Sequence, residues 1–129
     1  MIIIGHQWVE SPKFHKVYTQ AEIEKCATNE IALLEPLNQT HDQAKYCQDN
    51  AIPYAVIANT ITDAVFANAL GATYIVCKYD DATMLHPIAQ EYLFDTNILV
   101  LLQECNTKEI TKVARSGIDG IIFPEAIIS

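Results

Sequence analysis

A lysine and two aspartates form the densest group of polar side chains in the chain. Lys78, Asp80 and Asp81 directly follow the apolar run Tyr74–Cys77. A lysine near carboxylates can hold a carbonyl or anionic substrate, and it can form a Schiff base when it is shielded from water. The simpler interpretation is that an aspartate caps the next helical turn while the lysine pairs with an acid at the surface. We favour the simpler interpretation.

Polar side chains also follow the other apolar runs, which we interpret as strands. Because the carboxyl ends of parallel strands meet at one edge of a sheet, these side chains would line a common rim. Glu35 and Glu104 are weak candidates to join the lysine and the aspartates in a catalytic site. The candidates for binding a small ligand at this rim are Asn38, Asn59, Thr60, Tyr79, His86, Gln103, Cys105 and Glu125.

The acids of this rim, together with His86, have the oxygen and nitrogen ligands that a hard divalent ion such as Mg²⁺ can use. Receiver domains also carry acids at this rim, but this sequence does not match the receiver pattern of acids and a lysine. No acidic pair follows the first run, and Pro124 stands where a receiver has its lysine. A number of carboxylates does not by itself define a metal site. We therefore predict neither a metal site nor another cofactor.

Several other motifs of known chemistry are missing. The cysteines contain no C-x-x-C, which excludes the usual zinc spacing and a thioredoxin-like motif. The four glycines cannot form a glycine-rich phosphate loop, and there is no Gly-x-Ser-x-Gly nucleophile elbow. Buried, inert thiols and surface or hydrogen-bonded histidines are the expectation for these residues. The histidines, none of which has an i, i+4 partner, are His6, His15, His41 and His86.

Five short apolar runs must position the rim. Their starts lie roughly 20–24 residues apart, which is the length of one βα unit. The runs are continuous rather than alternating, which is typical of parallel strands covered on both faces. They are Ile31–Glu35, Tyr54–Ala58, Tyr74–Cys77, Ile98–Leu102 and Gly120–Phe123.

Helix signals stand between these runs. Thr60 and Asn106 are suited to cap helices, and Thr40 with Gln43 fits a capping box. Gly71 and Gly117 stand where helices should stop.

A proline complicates the segment after the third run. Pro87 prefers the first turn of a helix, so we expect a helix from about His86 to Phe94. The residues from Tyr79 to His86 would then form a long connection on the rim, of the kind that often binds ligands. The alternative is a helix kinked by Pro87.

The N-terminal part differs from the repeated core. Lys13–Tyr18 can form a strand or part of a hairpin, and Thr19 opens a short helix that extends to about Ala27. We therefore predict a single α/β domain over residues 1–129, with an N-terminal strand or hairpin and short helix in 1–28 and five βα units in 29–129.

The expected architecture is an open, three-layer, mostly parallel sheet with helices on both faces. Its layout resembles that of flavodoxin-like and Rossmann-like proteins. A closed barrel of eight βα units typically needs about 250 residues, so the length of this chain excludes it unless chains associate.

Charge and hydropathy restrict the partners. The net charge is −8, and the seven lysines and one arginine are scattered, so we expect no nucleic-acid binding. No apolar run approaches about 20 residues, so we expect no membrane partner. The N-terminus lacks the basic and long apolar regions of a signal peptide, and we expect a cytoplasmic protein with reduced thiols.

Surplus apolar residues lie near both termini. They include Ile2–Ile4 and Trp8 at one end and Ile127 and Ile128 at the other, while no helix follows Phe123 to cover the last strand. We expect a homodimer through the N-terminal segment and/or the last strand, or local packing of both termini within one chain.

No motif of the chain identifies a reaction. The leading hypothesis is a small, self-associating α/β module that binds a small ligand or a protein partner without evident catalytic machinery. One alternative is an enzyme with the lysine and carboxylate site, either lyase-like or metal-assisted. The other alternative is a structural subunit of a larger assembly.

Overall fold

All 129 residues are described by the computed structural model, in which strands alternate with helices. The strands belong to a single parallel sheet. They are β1 (Ile2–Ile4), β2 (Lys13–Lys16), β3 (Glu30–Leu34), β4 (Tyr54–Ile57), β5 (Tyr74–Cys77), β6 (Asn97–Leu101), β7 (Gly120–Ile122) and β8 (Ile127–Ile128). The helices are α1 (Gln20–Glu24), α2 (Leu37–Asp49), α3 (Ile61–Ala69), α4 (Tyr79–Glu91) and α5 (Thr107–Arg115).

The strand order across the sheet is β1-β7-β6-β5-β4-β3-β2-β8. From β2 to β7, each strand is therefore added beside its predecessor and on the same side. This confirms an α/β fold with a mostly parallel sheet and the five predicted core strands. The flavodoxin-like layout is not confirmed, because that layout requires the strand order to reverse at a switch point.

The helices all pack against one face of the sheet. A cluster of 25 buried residues combines helix residues such as Ile23, Leu85 and Val113 with outward strand residues such as Ala32 and Ile75. The second cluster contains strand residues and Ala126 but no residue of α1–α5. The expectation of helices on both faces is wrong, because right-handed crossovers that all advance in one direction place every helix on the same side.

The other face of the sheet curls upon itself. The stretch from β7 to β8 is continuous apart from a 3-10 turn over Pro124–Ala126. Its first part pairs with β6 and its last part pairs with β2, the strand at the far end of the β2–β6 series. The nine residues of the second cluster come from β1 to β7 and the 3-10 turn, so they fill a shared interior. The sheet is therefore barrel-like rather than flat.

Gly120 lies at the tightest point of this interior. A Cβ atom at this residue would stand 2.5 Å from the backbone oxygen of Ile2 and 2.9 Å from Leu99 Cδ2. Glycine lets β1 and β6 approach β7 from both sides.

Several predicted helix boundaries are confirmed. The side chain of Thr60 accepts a hydrogen bond from Asp63 N, and the side chain of Asn106 accepts from Lys108 N and Glu109 N. Thr19 caps α1, although that helix ends at Glu24 rather than near Ala27.

Two helix predictions are wrong in part. Helix α2 begins at Leu37 but is kinked at Thr40, whose φ of −133° is not helical, so a new helical segment does begin at the predicted position. The predicted capping box does not form, because the hydroxyl of Thr40 donates to the carbonyl of Glu35 at 2.7 Å. Helix α4 begins at Tyr79 and continues through Pro87, so the predicted rim loop does not exist. Asp80 and Asp81 in the first turn of α4 stabilise the positive end of its dipole. The missing N–H of Pro87 leaves only one carbonyl of the helix without its usual partner.

The N-terminal strand β1 pairs with β7 at the edge of the sheet. Ile2, Ile3 and Ile4 pair with Gly120, Ile121 and Ile122, and β1 does not pair with β2. The N-terminal strand is therefore present, but it is not half of a hairpin.

None of the helices combines the length and the apolar character needed to cross a membrane.

Candidate functional site

A cavity lies at the carboxyl ends of β1, β6 and β7, and we call it the loop cavity. It has a volume of about 560 Å³. One wall is the connection from β1 to β2, and the other wall consists of residues that follow β6 and β7. The lining residues are Gly5, His6, Gln7, Val9, Glu10, Ser11, Lys13, Cys105, Phe123 and Glu125.

The connection from β1 to β2 is held by its own hydrogen bonds. Gly5 turns the chain with a φ of 91° and donates its N–H to Ser11 Oγ at 3.0 Å. His6 accepts from Val9 N through its carbonyl and from Trp8 N through Nδ1. Since Nδ1 is an acceptor, the ring proton of a neutral His6 lies on Nε2. The loop thus fixes both the position and the tautomer of this histidine.

Charges of both signs face the loop cavity. Lys13 Nζ donates to the backbone carbonyl of Glu125 at 3.1 Å, which ties the start of β2 to the turn after β7. The carboxylates of Glu10 and Glu125 are exposed, and Cys105 is an exposed free thiol. Phe123 is buried and packs 5.9 Å from the His6 ring, so the floor of the cavity is aromatic. The cavity offers donors, acceptors and one apolar surface.

A second cavity occupies the carboxyl end of the curled sheet, and we call it the mouth cavity. It has a volume of about 290 Å³. Apolar side chains from successive strands form its floor, and Lys16 and Gln103 contribute polar groups. Its lining residues are Lys16, Leu33, Ile57, Val76, Leu101, Gln103, Pro124, Ile127 and Ser129.

Five of the residues predicted for the rim line cavities at this edge. Cys105 and Glu125 line the loop cavity, and Gln103 lines the mouth cavity. Gln103 also lines a third cavity of about 310 Å³ with Tyr79 and Glu104. These five residues therefore lie at the carboxyl edge of the sheet, and their role in binding stays a prediction.

His86 lies elsewhere. It lines a small cavity with Thr96 and Asp119, and a Cβ atom at Gly117 would stand 3.7 Å from its Nε2. Thr96 precedes β6 and Asp119 precedes β7, so this cavity is at the amino ends of the strands. Because α4 starts at Tyr79 and not near His86, two helical turns carry the histidine away from the rim.

The remaining rim candidates do not converge on one cavity. Asn38 and Asn59 are exposed, and Thr60 is used as a helix cap. Glu35 is half-buried, and its carbonyl accepts from Thr40.

The proposed lysine and carboxylate group also stays apart from the two cavities. Lys78 is exposed and immediately precedes α4, while Asp80 and Asp81 lie in the first turn of that helix. None of the three residues forms a salt bridge. An amine exposed to water lacks the desolvation that activates a Schiff-base lysine.

Sequence reasoning did not place His6, Ser11 and Lys13 at a site. Their place depends on the parallel pairing of β1 with β7, which brings the N-terminal connection beside the ends of β6 and β7. The turn residues Gly5 and Ser11–Pro12 were the available indication of an ordered loop there.

Burial raises the pKa values of three side chains and makes them unreactive. Burial raises the pKa of the Cys77 thiol to about 12, with a further contribution from Asp81. Burial raises the pKa of Cys47 to about 11 and also raises that of Tyr54. A neutral thiol is a poor nucleophile, so Cys77 and Cys47 serve packing.

The chain matches no protein-family model and no curated protein sequence. The geometry of the carboxyl edge therefore carries the functional conclusion.

Proposed function

We propose that the chain binds a small polar ligand in the loop cavity, as a binding module rather than through catalytic residues of its own. The observation that carries this proposal is the position of the loop cavity. It lies at the carboxyl ends of parallel strands, where proteins of this class usually bind their ligands.

The lining of the cavity restricts the ligand. Lys13 and the Nε2–H of His6 can donate hydrogen bonds, and the carboxylates of Glu10 and Glu125 can accept them. Two carboxylates against one lysine favour a neutral or cationic molecule over a phosphate. Phe123 favours a ligand with a small apolar portion. An amine or a polyol bearing a hydrocarbon group has this chemistry.

A melting-temperature screen of amines, polyols, carboxylates and phosphates tests the proposal. A ligand that binds only the folded state raises the melting temperature as its concentration exceeds its dissociation constant. We expect amines or polyols to raise it and phosphates to leave it unchanged. The effective ligand should then bind one site per chain in calorimetry.

A pair of variants assigns the binding to the cavity. Cys105→Tyr places a bulky ring in the loop cavity, and Ala69→Tyr places the same ring on an exposed position at the end of α3. We expect Cys105→Tyr to abolish the shift and Ala69→Tyr to preserve it. Equal shifts in both variants, or no shift with any compound class, would contradict the proposal.

We also propose that the chain forms a homodimer through its N-terminal segment and/or β8. The support is apolar exposure at these positions, since the side chain of Trp8 is 85% exposed and that of Ile128 is 37% exposed. Light scattering should give about twice the chain mass of 14.4 kDa. Trp8→Ser should shift the protein toward the monomer. A monomeric parent protein at high concentration contradicts this part.

A reducing, cytoplasmic location is part of the same proposal. The four cysteines are free, and Cys105 is exposed in the loop cavity. An exposed free thiol is best preserved where glutathione and thioredoxin keep it reduced.

A further inference from the structure

A histidine, a cysteine and a glutamate meet on the face of the sheet that carries the helices, and none of them lines a cavity at its carboxyl edge. His15 belongs to β2, Glu30 begins β3, and Cys26 lies in the connection between α1 and β3. Their ligand atoms all lie within 4.8 Å of one another. We propose that these three side chains form a binding site for a zinc-class divalent metal ion.

The parallel register of β2 and β3 creates this arrangement. Lys13 pairs with Glu30 and His15 pairs with Ala32, so the histidine and the glutamate are diagonal neighbours on one face. The tight turn before β3 supplies the third ligand. In that turn, Glu30 Oε1 accepts from Ala27 N at 2.7 Å, and Glu30 N donates to the carbonyl of Ala27. These bonds fix the carboxylate beside Cys26.

The imidazole of His15 supplies the strongest indication of a ligand. Its Nδ1 atom is buried but has no hydrogen-bond partner. Glu30 Oε1 lies 3.9 Å away, which is too far for a hydrogen bond. A buried polar atom without a partner is costly, and such atoms call for an explanation such as an ion. A metal ion between Nδ1 and the carboxylate would satisfy both.

The electrostatics of the cluster favour a cation. Burial raises the pKa of the Cys26 thiol, and the nearby carboxylates of Glu30 and Glu22 raise it further. The carboxylate of Glu30 brings negative charge to the cluster, and a divalent ion would neutralise it. On binding, the thiol proton is released to solvent and the sulfur coordinates the metal. The side chain of Glu30 is 19% exposed and that of His15 is 33% exposed, so an ion can enter.

The ligand types select the metal. Thiolate, imidazole and carboxylate together are typical of zinc and cobalt, whereas magnesium and calcium prefer oxygen ligands alone. Ligand atoms of a tetrahedral zinc ion with bonds of 2.0–2.3 Å lie about 3.3–3.8 Å apart. The observed separations of up to 4.8 Å need a closure of about 1 Å. Three protein ligands leave the fourth position for water.

Cobalt titration of the 129-residue chain, reduced and freed of metal, tests the site. We expect one Co²⁺ per chain and a near-ultraviolet charge-transfer band from the thiolate to the metal. Zinc should displace the cobalt and abolish the band. In Cys26→Ser the band should be lost and the Zn²⁺ affinity should fall by more than about tenfold. Cys105→Ser, a matched change of another free cysteine, should retain both.

A second variant decides the outcome if Cys26→Ser does not fold, as judged by circular dichroism. Glu30→Gln keeps an oxygen that can accept from Ala27 N but removes the charge. It should weaken Zn²⁺ binding while leaving the charge-transfer band at saturating cobalt. The proposal is overturned if the parent chain binds no metal. It is equally overturned if the band survives in Cys26→Ser or disappears in Cys105→Ser.

Discussion

The rings of Phe14 and Tyr74 lie with their centroids 5.4 Å apart, although two strands separate the strands that carry them. Phe14 belongs to β2 and Tyr74 to β5. In a flat sheet, three strand spacings would put these residues about 14 Å apart. Both side chains point to the face that carries no helices, so their contact measures how strongly the sheet curls. The interior that they fill reaches the mouth cavity, whose lining includes Leu33 and Val76 of the same cluster.

Removal of the Phe14 ring should therefore destabilise the whole fold. Phe14 is fully buried, and no helix is available to collapse into the space that its ring would leave. We expect Phe14→Ala to lower the free energy of unfolding by about 3–5 kcal/mol, measured by urea denaturation.

Phe66→Ala is the matched control, since the side chain of Phe66 on α3 is 58% exposed. We expect this change to cost less than about 1 kcal/mol. Similar losses for the two variants would show that the curled interior is not a main source of stability.

Gly120 provides a second probe of the same interior. A methyl group at this residue would meet the backbone oxygen of Ile2 at 2.5 Å, and a backbone atom cannot rotate away. We expect Gly120→Ala to lower the free energy of unfolding by about 1–3 kcal/mol, because the added methyl group displaces β1. Hydrogen exchange should show loss of protection in Ile2–Ile4. A fully stable variant with protected β1 amides would refute the tight packing of β1 on β7.

Local features of the fold were predictable because local chemistry determines them. The uninterrupted apolar run Ile98–Leu102 supplies most of β6, which spans Asn97–Leu101. Thr60 and Asn106 cap helices through their own side chains. The direction in which successive strands are added is not a local property. Nothing in the order of the apolar runs distinguishes a sheet that reverses from one that curls, so the flavodoxin-like expectation was underdetermined.

In the candidate sites too, the residues placed by local features were predictable, and those placed by strand pairing were not. Cys105 and Glu125 were predictable because each follows a strand, and strand ends share an edge. His6 reaches the loop cavity only through the pairing of β1 with β7. Likewise, His15 meets Glu30 only through the register of β2 and β3, so no spacing in the sequence indicates the cluster of these residues with Cys26.

The buried thiol of Cys77 should make the protein sensitive to alkali. Its pKa rises from 9.0 to about 12 in the folded state, because burial disfavours the thiolate and Asp81 repels it. Between these values the unfolded chain binds fewer protons than the folded chain, so the free energy of unfolding falls as the pH rises. The stabilising effect is fully present below pH 9.0 and is lost toward pH 12, with a slope of at most about 1.4 kcal/mol per pH unit.

Urea denaturation at a series of alkaline pH values measures this slope. Cys47 and Tyr54 contribute in the same direction, so the comparison of variants isolates Cys77. Cys77→Ala should show a shallower decline than the parent chain. Cys105→Ala, which removes an exposed thiol, should decline as the parent does. An unchanged slope in Cys77→Ala would refute the assignment.

The proposed metal site makes a prediction of the opposite sign. The ion binds the Cys26 thiolate, whereas the free site holds the protonated thiol because burial, Glu30 and Glu22 raise its pKa above 9.0. Zinc affinity should therefore rise with pH by about tenfold per unit between neutral pH and pH 9, with release of about one proton. Calorimetry in two buffers of different ionisation enthalpy counts that proton. Glu30→Gln should shift the pH dependence of the zinc affinity to lower pH, since removal of one carboxylate lowers the pKa of the Cys26 thiol. A pH-independent affinity would mean that the sulfur does not coordinate the ion, since a coordinating thiol must first lose its proton.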